Sequence, residues 1–312
     1  MAISLTDKSI LITGAGQGIG EATAHYLADL GARVVVADVQ AAKAAAVAEA
    51  VRTAGGQADS ISGDVSSWDD AAALVDFTVE RFGRIDGLVN NAGVIHHGSP
   101  LEETDGNGAR RVFEVNLMGS YFVGLHAIRR MAETGGGSIV NVTSGVQAGL
   151  GNAASYSASK GGIASLTYSW AIDCAPLGIR VNSLSPVAST EMTLIAQQLM
   201  RDRGEFAGEA PVVPPERNCP IVAYFLSDAA ADVTGQILRM HDRTLQLIGH
   251  PVVLVPEVER EQWTADDIAH AVENDFADRL PPLGLVGARS EFVQLGKVNV
   301  VPGIDLATGK PA

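Results

Sequence analysis

One stretch near the N-terminus, SILITGAGQGIG at Ser9–Gly20, limits the possible folds more than any other. Ile10 begins a short apolar run typical of a buried parallel strand, and glycines at positions 14, 18 and 20 follow it. Helical apolar spacing starts near Ile19. Strand, glycine turn and helix form a cradle for a phosphate, because backbone N–H groups face the anion and no Cβ atom blocks its approach. The glycine turn alone is equally compatible with a tight turn that binds nothing.

A carboxylate at the end of the next predicted strand favours a nucleotide as the ligand. This strand, RVVVAD, spans Arg33–Asp38, and Asp38 follows Gly20 by 18 residues. An acid at about this offset accepts hydrogen bonds from a ribose in dinucleotide-binding folds. The carboxylate would also repel a 2′-phosphate, and Gln17 and Val39 stand where a nearby cation would be needed. The sequence therefore favours NAD over NADP.

The bulk properties of the 312-residue chain argue against several classes of function. A formal net charge of −14 leaves no basic surface for a nucleic acid. The apolar runs are too short to span a membrane, and the first strand begins too early to leave room for a signal peptide. Cys174 and Cys219 lack metal-ligand spacing, so we expect two free buried thiols in a cytoplasmic protein.

The predicted elements alternate between strand and helix with short connections, which is typical of parallel strands joined by crossover helices. We expect an α/β fold: a doubly wound, Rossmann-type parallel sheet of about seven strands with helices on both faces, plus a C-terminal extension. Ligands in such sheets bind outside the carboxyl ends of the strands. Polar or glycine residues stand at these ends, namely Gly14, Asp38, Asp64, Asn90, Asn91 and Gly93.

The sequence divides into a body at 1–247 and an extension at 248–312. Within the body, residues 187–215 lose regular spacing, which predicts a lid with a short helix beginning near Glu191. The extension contains an acidic segment in which Thr264 and Asp267 form a capping-box pattern. An apolar stripe of Ile268, Val272 and Phe276 follows. We expect an amphipathic helix that packs against the body or a neighbouring subunit, with a solvated acidic tail as the alternative.

A second group of candidate residues lies on and around a helix predicted over residues 155–175. Tyr156 and Lys160 are four positions apart, which places both side chains on one face of this helix. A phenol with a pKa of about 10 is a poor base at neutral pH, but a nearby ammonium stabilises the phenolate and lowers that pKa. The pair therefore indicates acid–base chemistry.

Polar residues on other predicted elements complete this group. Ser144, after the fifth strand, would hold a carbonyl or alcohol oxygen beside the Tyr156 hydroxyl. Asn116, in a helix predicted to begin near residue 109, is either a satisfied core residue or the holder of a water molecule. His96 and His97 would overhang a substrate or face solvent. No third ligand at sensible spacing accompanies them, so we expect no metal.

Taken together, these motifs resemble the short-chain dehydrogenase/reductase family over about residues 6–240. The motifs, which occur in the family's order, are Thr13-Gly14-x3-Gly18-Ile19-Gly20, Asp64-Val65, Asn90-Asn91-Ala92-Gly93, Asn116, Ser144 and Tyr156-x3-Lys160. The resemblance implies an NAD-dependent enzyme that interconverts a secondary alcohol and a ketone. It implies Tyr156 as acid/base, Ser144 as the group that orients the substrate, Lys160 as the group that lowers the phenol pKa, and Asn116 as the holder of a relay water.

The resemblance also implies the cofactor contacts and the oligomeric state. The implied cofactor-binding residues are Gly14, Gln17, Gly18, Ile19, Gly20, Asp38, Asp64, Val65, Asn91, Ala92, Gly93, Tyr156, Lys160, Pro186 and Thr190. Relatives use helices equivalent to 109–133 and 155–175 as a subunit interface, so we expect a homo-oligomer, either a dimer or a tetramer.

The chain departs from the family pattern in places that bear on the substrate. Ser144 is one position closer to Tyr156 than is common, so Thr143 is an alternative for the hydroxyl role. The pattern Pro-x-Ala-x-Thr-x-Met at 186–192 is similar to the branch of bacterial 17β-hydroxysteroid dehydrogenases and the hydroxyacyl-CoA dehydrogenase part of peroxisomal multifunctional enzymes. That likeness implies a mainly apolar substrate, either a hydroxysteroid or a 3-hydroxyacyl thioester. The usual Asp-Gly-Gly after the seventh strand is replaced by His241-Asp242-Arg243.

Two other functions compete with this interpretation. The first is an NADPH-dependent ketoreductase for carrier-bound acyl chains, which Asp38 disfavours and the net charge of −14 also disfavours, because carrier proteins are commonly acidic. The second is a non-catalytic NAD(H)-binding regulatory protein, which would not need Tyr156 and Lys160 together.

Overall fold

The computed structural model describes residues 3–202, 204, 212–251, 258–277, 304–305 and 310–311. Its strands are β1 (Ser9–Thr13), β2 (Arg33–Asp38), β3 (Gln57–Ser62), β4 (Gly87–Asn90), β5 (Gly137–Val142), β6 (Ile179–Pro186), β7 (Ile237–His241), β8 (Thr244–Ile248), β9 (Ile304–Asp305) and β10 (Lys310–Pro311). Its α-helices are α1 (Gly18–Asp29), α2 (Ala41–Thr53), α3 (Trp68–Phe82), α4 (Asn107–Val112), α5 (Gly119–Glu133), α6 (Ala154–Cys174), α7 (Glu191–Asp202), α8 (Cys219–Leu226) and α9 (Ala265–His270).

Eight strands form one sheet in the order β3-β2-β1-β4-β5-β6-β7-β8. Strands β1 to β7 pair in parallel, which confirms the predicted doubly wound sheet. The strand order reverses between β1 and β4, and this is the switch point at which such sheets bind ligands. The eighth strand was not expected: β8 returns antiparallel to β7 through a tight turn at Asp242, whose φ is 54°. Aspartate, a short polar residue, tolerates this left-handed conformation. The turn therefore forms without the Gly-Gly pair that is usual after the seventh strand.

The core forms two layers, one on each face of the sheet. Successive strand residues point to opposite faces, so Ile10 and Ile12 pack with α1, α2 and α8, whereas Leu11 packs with α3, α5 and α6. Because both faces are covered by helices, the central strands are mainly apolar on both sides, as is usual for parallel sheets. The predicted site residues Asp38, Asn91 and Ser144 stand at or just after the carboxyl ends of strands.

The long helix predicted from about residue 109 is interrupted. Helix α4 is followed by a π-helical segment, Phe113–Met118, before α5 begins. Such π segments occur mostly as single turns within α-helices and are frequent at functional sites. Here the segment contains Asn116.

Two predictions about peripheral segments have different outcomes. The capping box before α9 is confirmed, because the Thr264 Oγ1 accepts from the Asp267 N–H and the Asp267 carboxylate accepts from the Thr264 N–H. Ile268 and Val272 of the apolar stripe are 51% and 39% exposed, and packing of this stripe against the body stays a prediction. A contact of this stripe with a neighbouring subunit stays a prediction.

The predicted lid and extension are described only in part. The lid contains α7, whereas its residues 203 and 205–211 lie outside the described residues, as do 252–257 and 278–303 of the extension. Within the described ranges, no helix combines the length and the apolar character needed to cross a membrane.

The packing of Gly20 predicts a measurable loss of stability on substitution. A Cβ at this position would lie 2.4 Å from the Gly14 carbonyl oxygen and 2.7 Å from the Ala15 Cα, both backbone atoms that cannot rotate away. We expect Gly20→Ala to lower the free energy of unfolding by about 1–3 kcal/mol, measured by urea denaturation.

Gly161→Ala is the matched control. This helical glycine has its nearest neighbour at 3.8 Å, so added helix propensity should keep or raise stability, by up to about 1 kcal/mol. Equal effects of the two substitutions would contradict the packing argument.

Candidate active site

A cavity of about 860 Å³ opens at the carboxyl edge of the parallel strands, across the switch point. Its volume lies within the range typical of small-molecule and cofactor sites. The predicted site residues that line it are Gly14, Gln17, Gly18, Ile19, Asp38, Asp64, Val65, Asn91, Ala92, Gly93, Ser144, Tyr156, Lys160, Pro186 and Thr190. Gly20 and Asn116 do not line the cavity and contribute through packing and hydrogen bonds behind its wall.

The glycine turn has the geometry of a phosphate cradle. Gly14 and Gly18 have φ angles of 60° and 63°, and a Cβ at Gly14 would lie 2.7 Å from the Ala92 Cα. Gln17 is the N-cap of α1 but makes no side-chain capping hydrogen bond. The first N–H groups of α1, at the end of the helix that lines the cavity, are therefore not capped by the Gln17 side chain. This turn fits the diphosphate of a dinucleotide.

Hydrogen bonds between side chains and backbone join this turn to the turn after β4. The Thr13 Oγ1 accepts from the N–H groups of Asn91 and Ala92 at 3.1 and 3.2 Å. The Asn91 Nδ2 donates to the carbonyl oxygens of Thr13 and Gly14 at 3.0 and 2.8 Å. The two turns are thus held as one unit on the floor of the cavity.

Asp38 is buried at the end of β2, and its carboxylate holds the backbone around it. Its Oδ2 accepts from the Gly16 N–H at 3.0 Å and its Oδ1 from the Gln40 N–H at 2.9 Å. A Cβ at Gly16 would lie 2.9 Å from the Asp38 Cγ, so only glycine permits this approach. Asp38 lines the cavity with lone pairs still available to a ligand hydroxyl.

Sequence reasoning missed a lysine beside Asp38. The Lys43 Nζ hydrogen-bonds to the Gln17 Oε1 and lies 3.8 Å from the Glu191 Oε2 of α7. It therefore connects the glycine turn to the first residue of α7, within the predicted lid. No local pattern marks Lys43, because its position is set by how α2 packs beside α1.

A second missed residue, Arg111, lies on α4 and contacts Asp64, one of the predicted cofactor-binding residues. Its Nη2 lies 3.1 Å from the Asp64 Oδ2, and its Nη1 donates to the Ser66 Oγ at 3.0 Å. Burial by itself would raise the pKa of Asp64, but hydrogen bonds from Ser66 and Arg111 outweigh it, and the pKa lies below its ordinary value. Asp64 therefore stays ionised at neutral pH.

Ser144, Tyr156 and Lys160 come together at the other end of the cavity, where α6 begins beside the end of β5. The Tyr156 hydroxyl hydrogen-bonds to the Ser144 side chain. The Lys160 Nζ lies 5.7 Å from the centroid of the Tyr156 ring and donates to the Val142 carbonyl oxygen at 2.7 Å. The helical spacing of four residues thus produces the predicted pairing.

The predicted lowering of the phenol pKa is wrong for this structure. Burial raises the pKa of Tyr156, and the hydrogen bond from Ser144 offsets the effect only in part. The same burial lowers the pKa of Lys160 to about 8. Because the Lys160 ammonium is directed at a carbonyl oxygen beside the ring and not at the hydroxyl, desolvation dominates both groups.

The hydrogen bonds of Thr143 distinguish it from Ser144. The buried Thr143 Oγ1 donates to the Leu184 carbonyl oxygen at 3.2 Å and is 3.1 Å from the Ser183 Oγ, so its hydroxyl is engaged within the sheet. Ser144 is the hydroxyl that reaches Tyr156.

Asn116 is fully buried and uses its amide to hold the loop after β4. Its Oδ1 accepts from the Val94 N–H at 2.7 Å, and its Nδ2 donates to the Val94 carbonyl oxygen at 2.9 Å and to the Ser159 Oγ at 3.1 Å. This arrangement is that of a satisfied core asparagine that couples the π segment to α6. The relay-water role stays a prediction.

The two adjacent histidines have different surroundings. His96 Nε2 lies 2.8 Å from the Glu103 Oε2, near the surface. His97 lines the cavity, and its Nε2 is buried without a hydrogen-bond partner among the described residues. Among all residues that the structure describes, no group of three or more His, Cys, Asp or Glu residues is arranged to hold a metal ion.

The low pKa of Lys160 predicts a pH dependence of stability. Between about 8 in the folded state and 10.5 for an ordinary lysine, the unfolded chain binds a proton that the folded chain has lost. Stability therefore rises with pH in this window. We expect the wild-type free energy of unfolding to rise by about 2 kcal/mol between about pH 7.5 and about pH 9.5 relative to Lys160→Met, measured by urea denaturation. Parallel pH profiles for the two proteins would contradict the buried-ammonium assignment.

Comparison with known proteins places this geometry in a family. The family model for short chain dehydrogenases matches residues 8–202. A cis-4-hydroxycyclohexanecarboxylate dehydrogenase of Sinomonas cyclohexanicum is 42% identical over 242 residues, covering 76% of this chain and 96% of that protein. A cyclohexanol dehydrogenase of Acinetobacter sp. (strain SE19) is 35% identical, covering 75% and 94%. The crystal structure of a short chain dehydrogenase from Mycobacterium avium superimposes with a TM-score of 0.79 at 29% identity, covering 92% of this chain and all of that one. The chain belongs to the short-chain dehydrogenase/reductase family of oxidoreductases.

Proposed function

We propose that the protein is an NAD-dependent dehydrogenase of cyclic secondary alcohols, or the corresponding ketone reductase. The observation that carries this proposal is the Ser144–Tyr156 hydrogen bond in the same cavity as the glycine cradle, with Lys160 buried beside the phenol ring. Two hydroxyls converge on one point of the cavity, which is the arrangement needed to hold a carbonyl or alcohol oxygen and exchange its proton.

In this mechanism Ser144 and Tyr156 bind the substrate oxygen together. The raised pKa of Tyr156 keeps it as the phenol at neutral pH, the form that donates a proton to a carbonyl oxygen during reduction. In the opposite direction the alcohol proton passes to the Tyr156 oxygen, so oxidation is favoured at alkaline pH. The glycine turn and Asp38 would hold NAD, which would supply the hydride acceptor for the carbinol carbon. Lys160, with a pKa of about 8, is cationic at neutral pH and lies beside the Tyr156 ring.

The choice of a cyclic alcohol is supported by two of the relatives, which are named for cyclohexane alcohols. Apolar residues of the cavity, including Val146, Leu150 and Met192, provide surface for a carbocyclic ring. The hydroxysteroid or 3-hydroxyacyl thioester implied by the Pro-x-Ala-x-Thr-x-Met pattern stays an alternative substrate.

We also propose a homo-oligomer that uses the segments 109–133 and 155–175 as its interface. Apolar side chains exposed on these segments support it, namely Phe113 and Tyr121 on the first and Ile172 on the second.

The choice of NAD rests on the buried carboxylate of Asp38 at the end of β2. Its like charge disfavours a 2′-phosphate. Lys43 argues in the other direction because it is the cation beside the Gly16–Gln17 turn. We favour NAD because Lys43 is already engaged by Gln17 and Glu191.

Removal of the phenol hydroxyl should strongly lower turnover. We expect Tyr156→Phe to lower kcat/KM for cyclohexanol by about 10²–10⁴-fold, followed by NADH absorbance. Tyr168→Phe is the matched control, because Tyr168 lies on the same helix but packs on His250, away from the cavity, and should keep activity near wild type. Retention of most turnover by Tyr156→Phe would rule out the mechanism, and NADH binding without oxidation across a panel of secondary alcohols would favour a regulatory protein.

Removal of the Asp38 carboxylate should relax the cofactor preference. We expect Asp38→Ala to lower the ratio of kcat/KM for NAD to that for NADP by about 10–100-fold, because a ribose hydrogen bond to a charged acceptor is lost and the repulsion of the 2′-phosphate disappears. The ratio does not depend on how much of the variant is folded.

The control for this experiment is Asp29→Ala, which removes an exposed carboxylate at the end of α1. Its ratio should equal that of the wild type. A wild-type preference for NADP that is lost in Lys43→Met would instead assign the 2′-phosphate to Lys43.

A further inference from the structure

Arg239, on β7, is a cationic side chain inside the cavity that the proposed mechanism does not use. It lines the cavity together with Ser144 and Tyr156. Its Nη1 donates to the Ser185 Oγ at 3.1 Å. Burial lowers the pKa of the guanidinium, and no charged neighbour among the described residues contributes to that shift. An arginine nevertheless remains protonated at neutral pH.

The other cations of the cavity wall have partners of their own. Arg111 is paired with Asp64 at 3.1 Å, and the Lys160 Nζ donates to the Val142 carbonyl oxygen at 2.7 Å. Arg111 and Arg239 are the two arginines that line the cavity, and of these Arg239 has no carboxylate partner among the described residues. A partly buried charge is costly when it is left unpaired, so an anionic ligand is the natural counterpart.

The sheet register brings Arg239 to the substrate end of the cavity. Arg239 pairs with Ser185, and continuing the β5–β6 register puts Ser185 beside Thr143, the residue before Ser144. Two strand spacings separate β5 from β7, so the Arg239 Cα lies about 10 Å from the Thr143 Cα. The long Arg239 side chain covers part of this distance, so a small ring can bridge what remains between the guanidinium and the residues after β5.

Arg239 also points to the same face of the sheet as Tyr156. Alternate strand residues share a face, and Asn141, two positions before Thr143, donates from its Nδ2 to the Thr167 Oγ1 of α6. Thr143, Ser185 and Arg239, which are neighbours across the three strands, therefore face α6, the helix of Tyr156. The dinucleotide cradle and Asp38 lie at β1 and β2, on the opposite side of β4 and β5.

We propose that Arg239 binds a carboxylate of the substrate, so that the preferred substrate is a hydroxy acid whose alcohol and acid groups stand at opposite ends of a small ring. This inference rests on the proposed function, because it names the substrate class of the same site. The guanidinium presents two parallel N–H donors to a carboxylate, and the hydrogen bond to Ser185 fixes its orientation.

The test compares 4-hydroxycyclohexanecarboxylate, as cis and trans isomers, with cyclohexanol, which lacks the acid. We expect the wild type to have the higher kcat/KM for one hydroxy acid isomer. Arg239→Met should lower the ratio of kcat/KM for that acid to kcat/KM for cyclohexanol by about 10–100-fold, because a charge-assisted hydrogen-bonded pair is lost. Arg239→Lys, which keeps the charge without the fork, should restore part of the ratio.

Arg243→Met is the matched control, since Arg243 is an exposed arginine in the turn after the same strand and does not line the cavity. Its ratio should equal that of the wild type. An Arg239→Met ratio indistinguishable from that of Arg243→Met would overturn the inference, as would a selective rise in the KM for NAD.

A binding measurement separates failure of this inference from failure of the proposed function. Cyclohexanecarboxylate, which has no hydroxyl to oxidise, should bind the wild-type protein more tightly than Arg239→Met by calorimetry in the presence of NADH. If no alcohol is oxidised but this difference is found, the proposed reaction fails and the carboxylate site stands. If alcohols are oxidised and the difference is absent, the carboxylate site fails and the reaction stands.

Discussion

Four hydrogen bonds tie the turn after β1 to the turn after β4, and the rest of the candidate site depends on them. Thr13 and Asn91 supply the side chains, and Gly14 provides the space because a Cβ there would press on Ala92. The two strands are sequence-distant neighbours that meet at the switch point of the sheet. The link therefore joins the phosphate cradle to the path that leads toward Tyr156, and it places both on one rigid floor.

Burial is the physical cause of the acid–base properties of Tyr156 and Lys160, at the other end of the cavity. It disfavours every charged form, so it raises the pKa of Tyr156 and lowers that of Lys160 to about 8. The ammonium loses its proton before the phenol does. The useful state is the one near neutral pH, in which Lys160 still carries its charge and Tyr156 its proton. This state suits proton donation to a ketone.

The cavity is electrostatically uneven along its length. The cofactor end contains the carboxylates of Asp38 and Asp64, the latter matched by Arg111. The far end contains Arg239 without a matching acid in the described residues. Apolar residues, two hydroxyls and a cation thus line the same cavity. The reaction class follows from the family, whereas the proposed substrate class, a molecule that is polar at both ends, rests on these charges of the wall.

The features that the sequence by itself determined are those whose cause is local. The glycine spacing, the offset of Asp38, the Tyr156–Lys160 repeat and the capping box at Thr264 each depend on backbone geometry within a few residues or one βαβ unit. Sequence was silent on contacts that cross the sheet: Lys43 with Glu191, Arg111 with Asp64, and Arg239 in the row of Thr143. It also left Thr143 and Ser144 undecided, because only pairing of β5 with β6 engages one hydroxyl and leaves the other facing Tyr156. Strand order and register are set by the packing of the whole core, and the tertiary structure alone decides which distant charges share a cavity.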